Sequence, residues 1–348
     1  MLRILVDITH PAYVHLYKNI IRILKSQGHH VVVTAAQHED TLKLLRSYNL
    51  EHLVLGRKGH NIKTKLLYQQ LLTLRLWLLA RKSDIDLALG GSTTVAQGTF
   101  FTRARSIIFT DDDGDIVPLF AKSTYPFASK VVHPRCIRDR LSKRKQVLVD
   151  SFKELAYLHP NNFQPDNSIF NLLGLETGQR FFVVRFSALK AHHDLFARGI
   201  KDKVQLIRYL ENFGRVFVSS ESELEGDLKK NQIELPIEMV HSLLHFASLY
   251  IGDSQTMAAE AAVLGTPSIR CNTFVGKLSY LEELENEYNL TIGVRPESFV
   301  SVFPIIESYM REPNIKNIWA ERRNRLLKDK IDFTEWFVNY INSMEWIN

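Results

Sequence analysis

Cysteine is scarce in this chain. Its 348 residues hold two, Cys136 and Cys271. Two distant thiols cannot build a disulfide framework or a four-ligand zinc site, so both are expected as buried free thiols in a reducing compartment. Long apolar runs are missing as well, and none approaches the ~18 residues that a membrane-spanning helix needs. The opening MLRILVDITHPAYVH has only Ile4-Leu5-Val6 as an apolar run before Asp7, so it is not expected to act as a signal peptide. No Gly-x-Gly-x-x-Gly, Walker A or Gly-x-Ser-x-Gly sequence occurs, which argues against a dinucleotide dehydrogenase, a P-loop NTPase and an α/β-hydrolase. A recognisable RNA- or DNA-reading motif is absent too, and nucleic acid is not expected as a partner. The expected location is the cytoplasm.

What is present is ordinary for a globular protein: 45% hydrophobic and 24% charged residues, in a length that fits about two domains. The net charge is +6, but it is unevenly placed. Residues 1–150 carry 23 basic and 12 acidic side chains, whereas residues 151–348 carry 21 and 26. That asymmetry points to two domains with different partners.

Hydrophobic periodicity alternates between strand and helix. Residues 2–8 read as a short buried strand. A helix over 14–26 places Leu16, Ile20, Ile23 and Leu24 on one face and stops at Gly28. Strands follow at 30–34, 52–55, 85–89 and 106–110, with helices at 39–48 and 62–82. The pattern restarts near residue 180, with strands at 181–184, 215–219, 249–251 and 267–269 and helices at 201–213, 238–247 and 255–264. Helices at 297–310 and 315–345 close the chain. Alternation of this kind means βαβ units and parallel sheets. The expected fold is α/β, with two Rossmann-like parallel-sheet domains facing a cleft. Expected boundaries are 1–160 for the first domain, 161–178 for a Pro/Asn/Gly-rich linker, 179–312 for the second domain and 313–348 for closing helices.

In open parallel sheets, ligands bind beyond the carboxyl ends of the strands, so the loops there carry the search. The segment 250–267 ends a strand and starts a helix with Asp253 or Ser254 as cap and Gln255 and Thr256 in the first turn. Its unpaired N–H groups and positive dipole suit a diphosphate, and Glu260 suits a ribose diol. The same residues also fit an ordinary capped helix packed by Ala258, Ala261 and Ala262. Arg185 and Ser187 end another strand and suit phosphate contact. His192, His193 and Asp194 follow; adjacent residues on an extended chain point oppositely, so a metal site from this run is not expected. His10 and His15 sit after the first strand, with His15 expected in the first helical turn. Imidazole there suits a general base, or else a cap or core residue. Asp111–Asp115 could hold Mg²⁺ or form a turn and cap. Gly90-Gly91-Ser92-Thr93 looks like a further helix start. Segment 57–82 mixes Leu66, Leu67, Leu71, Leu74, Trp77 and Leu78 with seven basic residues, which fits either a packed helix or a surface touching anionic lipid.

The stretches HPAYVHLYKNIIRILKSQGHHVVVTA, ELAYLHPNNFQPD, VVRFSALKAHHD, VFVSSE, IGDSQTMAAEAAVLGTPSIR and LSYLEELENEYNL occur in this order. Together they resemble a bacterial and archaeal family of unknown function regarded as predicted glycosyltransferases. That family is similar in turn to GT-B proteins, among them the non-hydrolysing UDP-GlcNAc 2-epimerases and the lipid II-forming GlcNAc transferase. The resemblance implies a carboxy-terminal domain that binds a nucleotide-sugar through Arg185, Ser187, Ser219, Ser220, Ser254, Gln255, Thr256 and Glu260. It implies an amino-terminal loop in which His15 is the catalytic base and His10 its helper. His192, His193, Ser92 and Thr93 are candidate substrate contacts. No metal and no cofactor are implied. Where the epimerases carry an acidic Gly-Asp-Thr turn, this chain reads Gly90-Gly91-Ser92, which favours transfer over epimerisation. The implied activity is metal-independent transfer from a UDP-type sugar to a cell-envelope or polysaccharide acceptor, lipid-linked or phosphorylated, at the inner face of the membrane. Epimerisation or hydrolysis of a nucleotide-sugar, and non-catalytic binding of one, are the alternatives.

Overall fold

The computed structural model describes residues 1–57, 62–139, 141–187, 199–220, 224 and 226–347. The chain divides into two compact units. The first comprises Met1–Asn162 together with Ile331–Asn348, and the second Phe163–Lys330.

The first unit opens with β1 (Arg3–Ile8), α1 (Pro11–Ser26), β2 (His30–Ala36), α2 (Glu39–Ser47), β3 (Leu53–Gly56) and α3 (Ile62–Lys82). It continues with β4 (Leu87–Gly90), α4 (Thr93–Phe100), β5 (Arg105–Phe109), α5 (Pro118–Thr124), β6 (Lys130–Pro134), β7 (Gln146–Val149) and α6 (Leu155–Leu158). The seven strands are parallel, in the order β3-β2-β1-β4-β5-β6-β7. Runs such as Ile4-Leu5-Val6 and Leu87-Ala88-Leu89 are buried throughout, as expected where helices cover both faces of a parallel sheet. The order reverses between β1 and β4, where Asp7 lies in register with Gly90. A crevice forms at such a switch point because the adjoining connections leave on opposite faces.

The second unit holds α7 (Ser168–Leu173), β8 (Phe181–Phe186), α8 (Lys203–Glu211), β9 (Arg215–Ser220), α9 (Val240–Phe246), β10 (Leu249–Gly252) and α10 (Gln255–Leu264). After these come β11 (Ser268–Cys271), α11 (Ser279–Asn286), β12 (Thr291–Val294), α12 (Val302–Arg311) and α13 (Ile315–Asp329). Its sheet is also parallel, ordered β12-β11-β10-β8-β9, with the switch between β8 and β10. Phe182, Val184, Val218, Ile251 and Ile269 form the centre of its core. Helix α10 ends at Gly265, whose φ of +79° is left-handed backbone that glycine adopts without a Cβ penalty.

Several elements differ from the sequence expectation. The final helix expected over 315–345 is two helices, α13 and α14 (Phe333–Ser343). Asp332 starts the second by accepting hydrogen bonds from the N–H groups of Thr334 and Glu335. Helix α14 belongs to the first unit, where Phe333 packs edge-on against Phe109 and Phe337 lies beside Tyr17. The segment expected as a linker contains α7, within the second unit. Strands β6, β7 and β12 were not anticipated. They are four or five residues long, with His and Pro in β6, Gly in β12 and only Val-Leu-Val in β7, so they lack an apolar run of diagnostic length.

Candidate functional site

In the second unit, three neighbouring strands end at one place. Arg185 is the penultimate residue of β8 and lies in register with Gly252, the last residue of β10, and Ser219 of β9. A Cβ at Gly252 would stand 2.8 Å from the Cβ of Arg185, so only glycine permits that approach. The Arg185 guanidinium donates to Ser219 Oγ at 2.8 Å, which ties the two strand ends together.

Just beyond β10, the buried Asp253 accepts a hydrogen bond from the Ser187 N–H at 2.6 Å. Burial pushes its carboxyl pKa upward, against the Ser187 hydrogen bond, which favours the charged form. Ser254 caps α10 with its Oγ, which accepts from the Met257 N–H at 3.3 Å. The N–H groups of Gln255 and Thr256 belong to the first helical turn and have no carbonyl within the helix to bond. Ser254, Gln255 and Thr256 are half-buried, as are Arg185, Ser187, Ser219 and Ser220. The structure therefore brings seven of the sequence candidates to the sheet's switch point, as an array of donors next to the carboxylate of Asp253. Such an array fits a phosphate-bearing ligand.

Glu260 is placed differently from its neighbours. It is 4% exposed, and its Oε1 lies 3.1 Å from Nε2 of His241, which is also buried. The ribose role expected for it is thus joined by a structural one, the tie between α10 and α9.

The first unit has its own polar cluster at its switch point. Asp7, at the end of β1, is buried and accepts from Thr34 Oγ1 at 2.8 Å and from Ser92 Oγ at 3.0 Å. Ser92 also caps α4 by accepting from the Val95 N–H. Thr93 Oγ1 sits 2.8 Å from Thr124 Oγ1 on α5. A Cβ at Gly91 would fall 2.0 Å from the Tyr13 hydroxyl, so that turn is shaped to admit the phenol. Burial and the charge of Asp111 hold the Tyr13 pKa well above its usual value. Asp111 in turn receives a 2.5 Å hydrogen bond from the buried Lys153.

His10 is exposed and caps α1, its Nδ1 accepting from the Ala12 N–H at 3.3 Å. His15 is corrected in position. Helix α1 starts at Pro11, so His15 opens the second turn rather than lying in the first. It is 7% exposed, with its ring against Tyr48 and Tyr157. His192 and His193 lie outside the described residues. The acidic run 111–115 does not converge: Asp111 pairs with Lys153, while buried Asp113 accepts from the Arg138 N–H. Among the described residues no group of three metal-ligating side chains occurs. Cys271 is buried, and burial raises its thiol pKa to about 12, which leaves it unreactive.

Asp7, Tyr13, Thr34, Lys153 and His241 were not singled out in the sequence, and Asp111 was read only as part of an acidic run. The local pattern around each is that of a strand end or helix, and their pairing is set by strand order.

A family profile described as "Protein of unknown function (DUF354)" matches residues 2–289. The chain belongs to this family. The resemblance seen in the six sequence stretches therefore holds. An uncharacterised family relative from Methanocaldococcus jannaschii is 24% identical over 279 residues, covering 76% of this chain and 80% of the relative. Among solved structures, S. aureus MnaA in complex with UDP aligns with a TM-score of 0.68 at 10% identity, covering 98% of this chain and 96% of that one. A putative UDP-N-acetylglucosamine 2-epimerase from Listeria monocytogenes gives 0.66 at 11%, with 98% and 94% covered. The Streptomyces glycosyltransferase SsfS6, complexed with thymidine diphosphate, gives 0.61 at 12%, with 99% and 100% covered. At these identities the likeness establishes the fold, which is GT-B, as the family resemblance implied.

Proposed function

We propose that this family member is a glycosyltransferase that takes a UDP-linked sugar as donor. The observation that carries the reading is the donor array of Arg185, Ser187, Ser219 and the capped start of α10, all at the switch point of the second unit's sheet. Transfer requires stabilising the diphosphate that leaves, and preorganised N–H, hydroxyl and guanidinium donors supply that without a metal. The nucleotide ligands of the MnaA and SsfS6 structures support a nucleotide-bearing donor. The likeness to the putative Listeria epimerase leaves epimerisation as the second reading, and Gly90-Gly91-Ser92, which offers no carboxylate at that turn, favours transfer. The acceptor is assigned to the first unit, with His15 as base and His10 as its helper. Its predominance of basic residues fits a phosphorylated or lipid-linked cell-envelope acceptor.

UDP and UDP-sugars are expected to raise the melting temperature of the protein, because a ligand that binds only the folded state stabilises it by mass action. No shift with any nucleotide or nucleotide-sugar would remove the reading. The dual placement of Glu260 yields a sharper test. Glu260→Gln keeps the size of the side chain and an oxygen for His241, so the unliganded melting point should stay within a few degrees. If the carboxylate also holds ribose, the UDP-induced shift should disappear. A large fall in the unliganded melting point with an intact UDP shift would assign Glu260 to structure alone. His15→Ala should lower turnover by about 10²–10⁴, the range typical of a lost general base, with UDP binding retained. Normal turnover in that variant would remove the base assignment, and release of an isomerised sugar without any acceptor would establish the second reading.

A further inference from the structure

Helix α3 is apolar on two opposite faces. Leu72, Leu76 and Ala80 are buried in the core of the first unit, spaced four residues apart. Leu67, Leu71, Leu74 and Leu78 point the other way and are 61%, 40%, 51% and 53% exposed. Their spacing of four, three and four residues places all four on one stripe of a helix with 3.6 residues per turn. Leucine at every position of an outward stripe is a costly use of surface, and contiguous apolar patches on a monomer mark a contact.

The charge around the stripe identifies what that contact is. Segment 57–82 holds Arg57, Lys58, Lys63, Lys65, Arg75, Arg81 and Lys82 and not one acidic residue. Arg81 and Lys82, at the end of α3, are exposed. Helix α4 runs alongside: a Cβ at Gly98 would touch Leu76 and the Thr73 carbonyl. Two residues further along, Phe100 and Phe101 are 49% and 80% exposed. Phe100 also lines a cleft of about 700 Å³ whose walls include Arg103, Arg105, Lys130 and Arg144. An exposed leucine stripe on a segment that is rich in basic residues, with Arg81 and Lys82 exposed at its end, fits a surface that is both apolar and anionic. Arg103 pairs with Asp84 and Asp86, but a second copy of this chain would still bring a basic segment that holds no acidic residue against itself.

We propose that the outer face of α3, with the end of α4, docks on an anionic lipid bilayer. The leucines and phenylalanines enter the headgroup layer, and the flanking cations meet lipid phosphates. Among the described residues no helix is long and apolar enough to cross a membrane, so the contact is one of lying on the surface. The proposal deepens the reading of a lipid-linked acceptor, but its test does not depend on donor chemistry.

Sedimentation of the full chain with vesicles of pure phosphatidylcholine, and of phosphatidylcholine containing a quarter phosphatidylglycerol, tests it. Binding is expected only to the anionic vesicles, and it should weaken at about 0.5 M salt, where charges are screened within a few ångströms. The double variants L71E/L74E and R81E/K82E should each weaken it about tenfold or more. Both alter exposed side chains, so their melting points and UDP-induced shifts should match those of the unaltered chain. Absence of binding, equal binding to neutral vesicles, or unaltered binding by both variants would overturn the proposal. So would a solution dimer that L71E/L74E dissociates, since it would assign the stripe to a second copy. An unchanged UDP shift alongside any of these outcomes would leave the donor-site reading standing.

Discussion

Replacing Arg185 by alanine is expected to lower turnover with a UDP-sugar by about 10²–10³, the usual effect of deleting one preorganised donor to a developing anion. The guanidinium stands at the switch point of the second sheet, held by Ser219 Oγ and by the close backbone passage at Gly252. The proposed diphosphate would therefore meet it with little reorganisation. Because its benefit grows as charge builds on the leaving group, the loss should fall mainly on kcat, with a smaller change in KM. Arg185→Lys retains the charge but loses the two-pronged donor geometry, and should recover only part of the rate. Ser254→Ala should cost less in rate and about 1 kcal/mol in stability, since it removes the cap of α10. The checks are steady-state kinetics of UDP release and the melting point of each variant. Turnover of Arg185→Ala within threefold of the unaltered chain would detach this residue from the chemistry.

How much of this could be read from the sequence follows from the range of each interaction. Helix α10 was legible to the residue, because Ser254 at its start and Gly265 after its end are local signals. The strand ends at 184–187 and 250–254 were legible for the same reason, and with them most of the donor array. Strands β6, β7 and β12 were not, because each is an edge or near-edge strand too short for a periodic pattern to emerge. The division of the last helical stretch at Asp332 was signalled only by a capping aspartate inside an otherwise helical run. The return of α14 to the first unit depends on Phe333 and Phe337 meeting Phe109 and Tyr17, more than 200 residues away in sequence.

The polar pairs are where sequence reasoning stops. Asp7 joins Thr34 and Ser92 because the sheet runs β2-β1-β4, an order that no periodicity encodes. Glu260 was legible as an acid one and a half turns into a helix, but its partner His241 lies on another helix, α9. His15 reads as an accessible base on a loop-to-helix junction. Tyr48 and Tyr157, which enclose it, come from the end of α2 and from α6.

Arg270 shows the same limit in its strongest form, and its replacement should have the largest effect on stability. The strand expected at 267–269 stops short of it, whereas in the structure it is the third residue of β11. In the structure it is wholly buried, with its Nη2 bonded to Glu282 at 2.7 Å and to Glu285 at 2.6 Å. Those carboxylates also accept the N–H groups of Gly276 and Gly293, so one cation fixes the end of β11 to α11 and to β12. Its Nε and Nη1 have no hydrogen-bond partner among the described residues, so the lost hydration is only partly replaced. Arg270→Ala is expected to destabilise the second unit by about 3–5 kcal/mol, because it leaves two carboxylates facing a cavity with no cation between them. For a unit of this size that corresponds to roughly 10 °C in melting temperature. Arg270→Met fills the space but not the charge, and should recover only part of the loss. Combining R270M with E282Q and E285Q removes the repulsion as well, and should regain most of it, since a buried ion cluster replaced as a whole often costs little. A triple variant no more stable than Arg270→Ala would show that the ion cluster itself, and not the avoidance of stranded charge, holds this corner of the sheet.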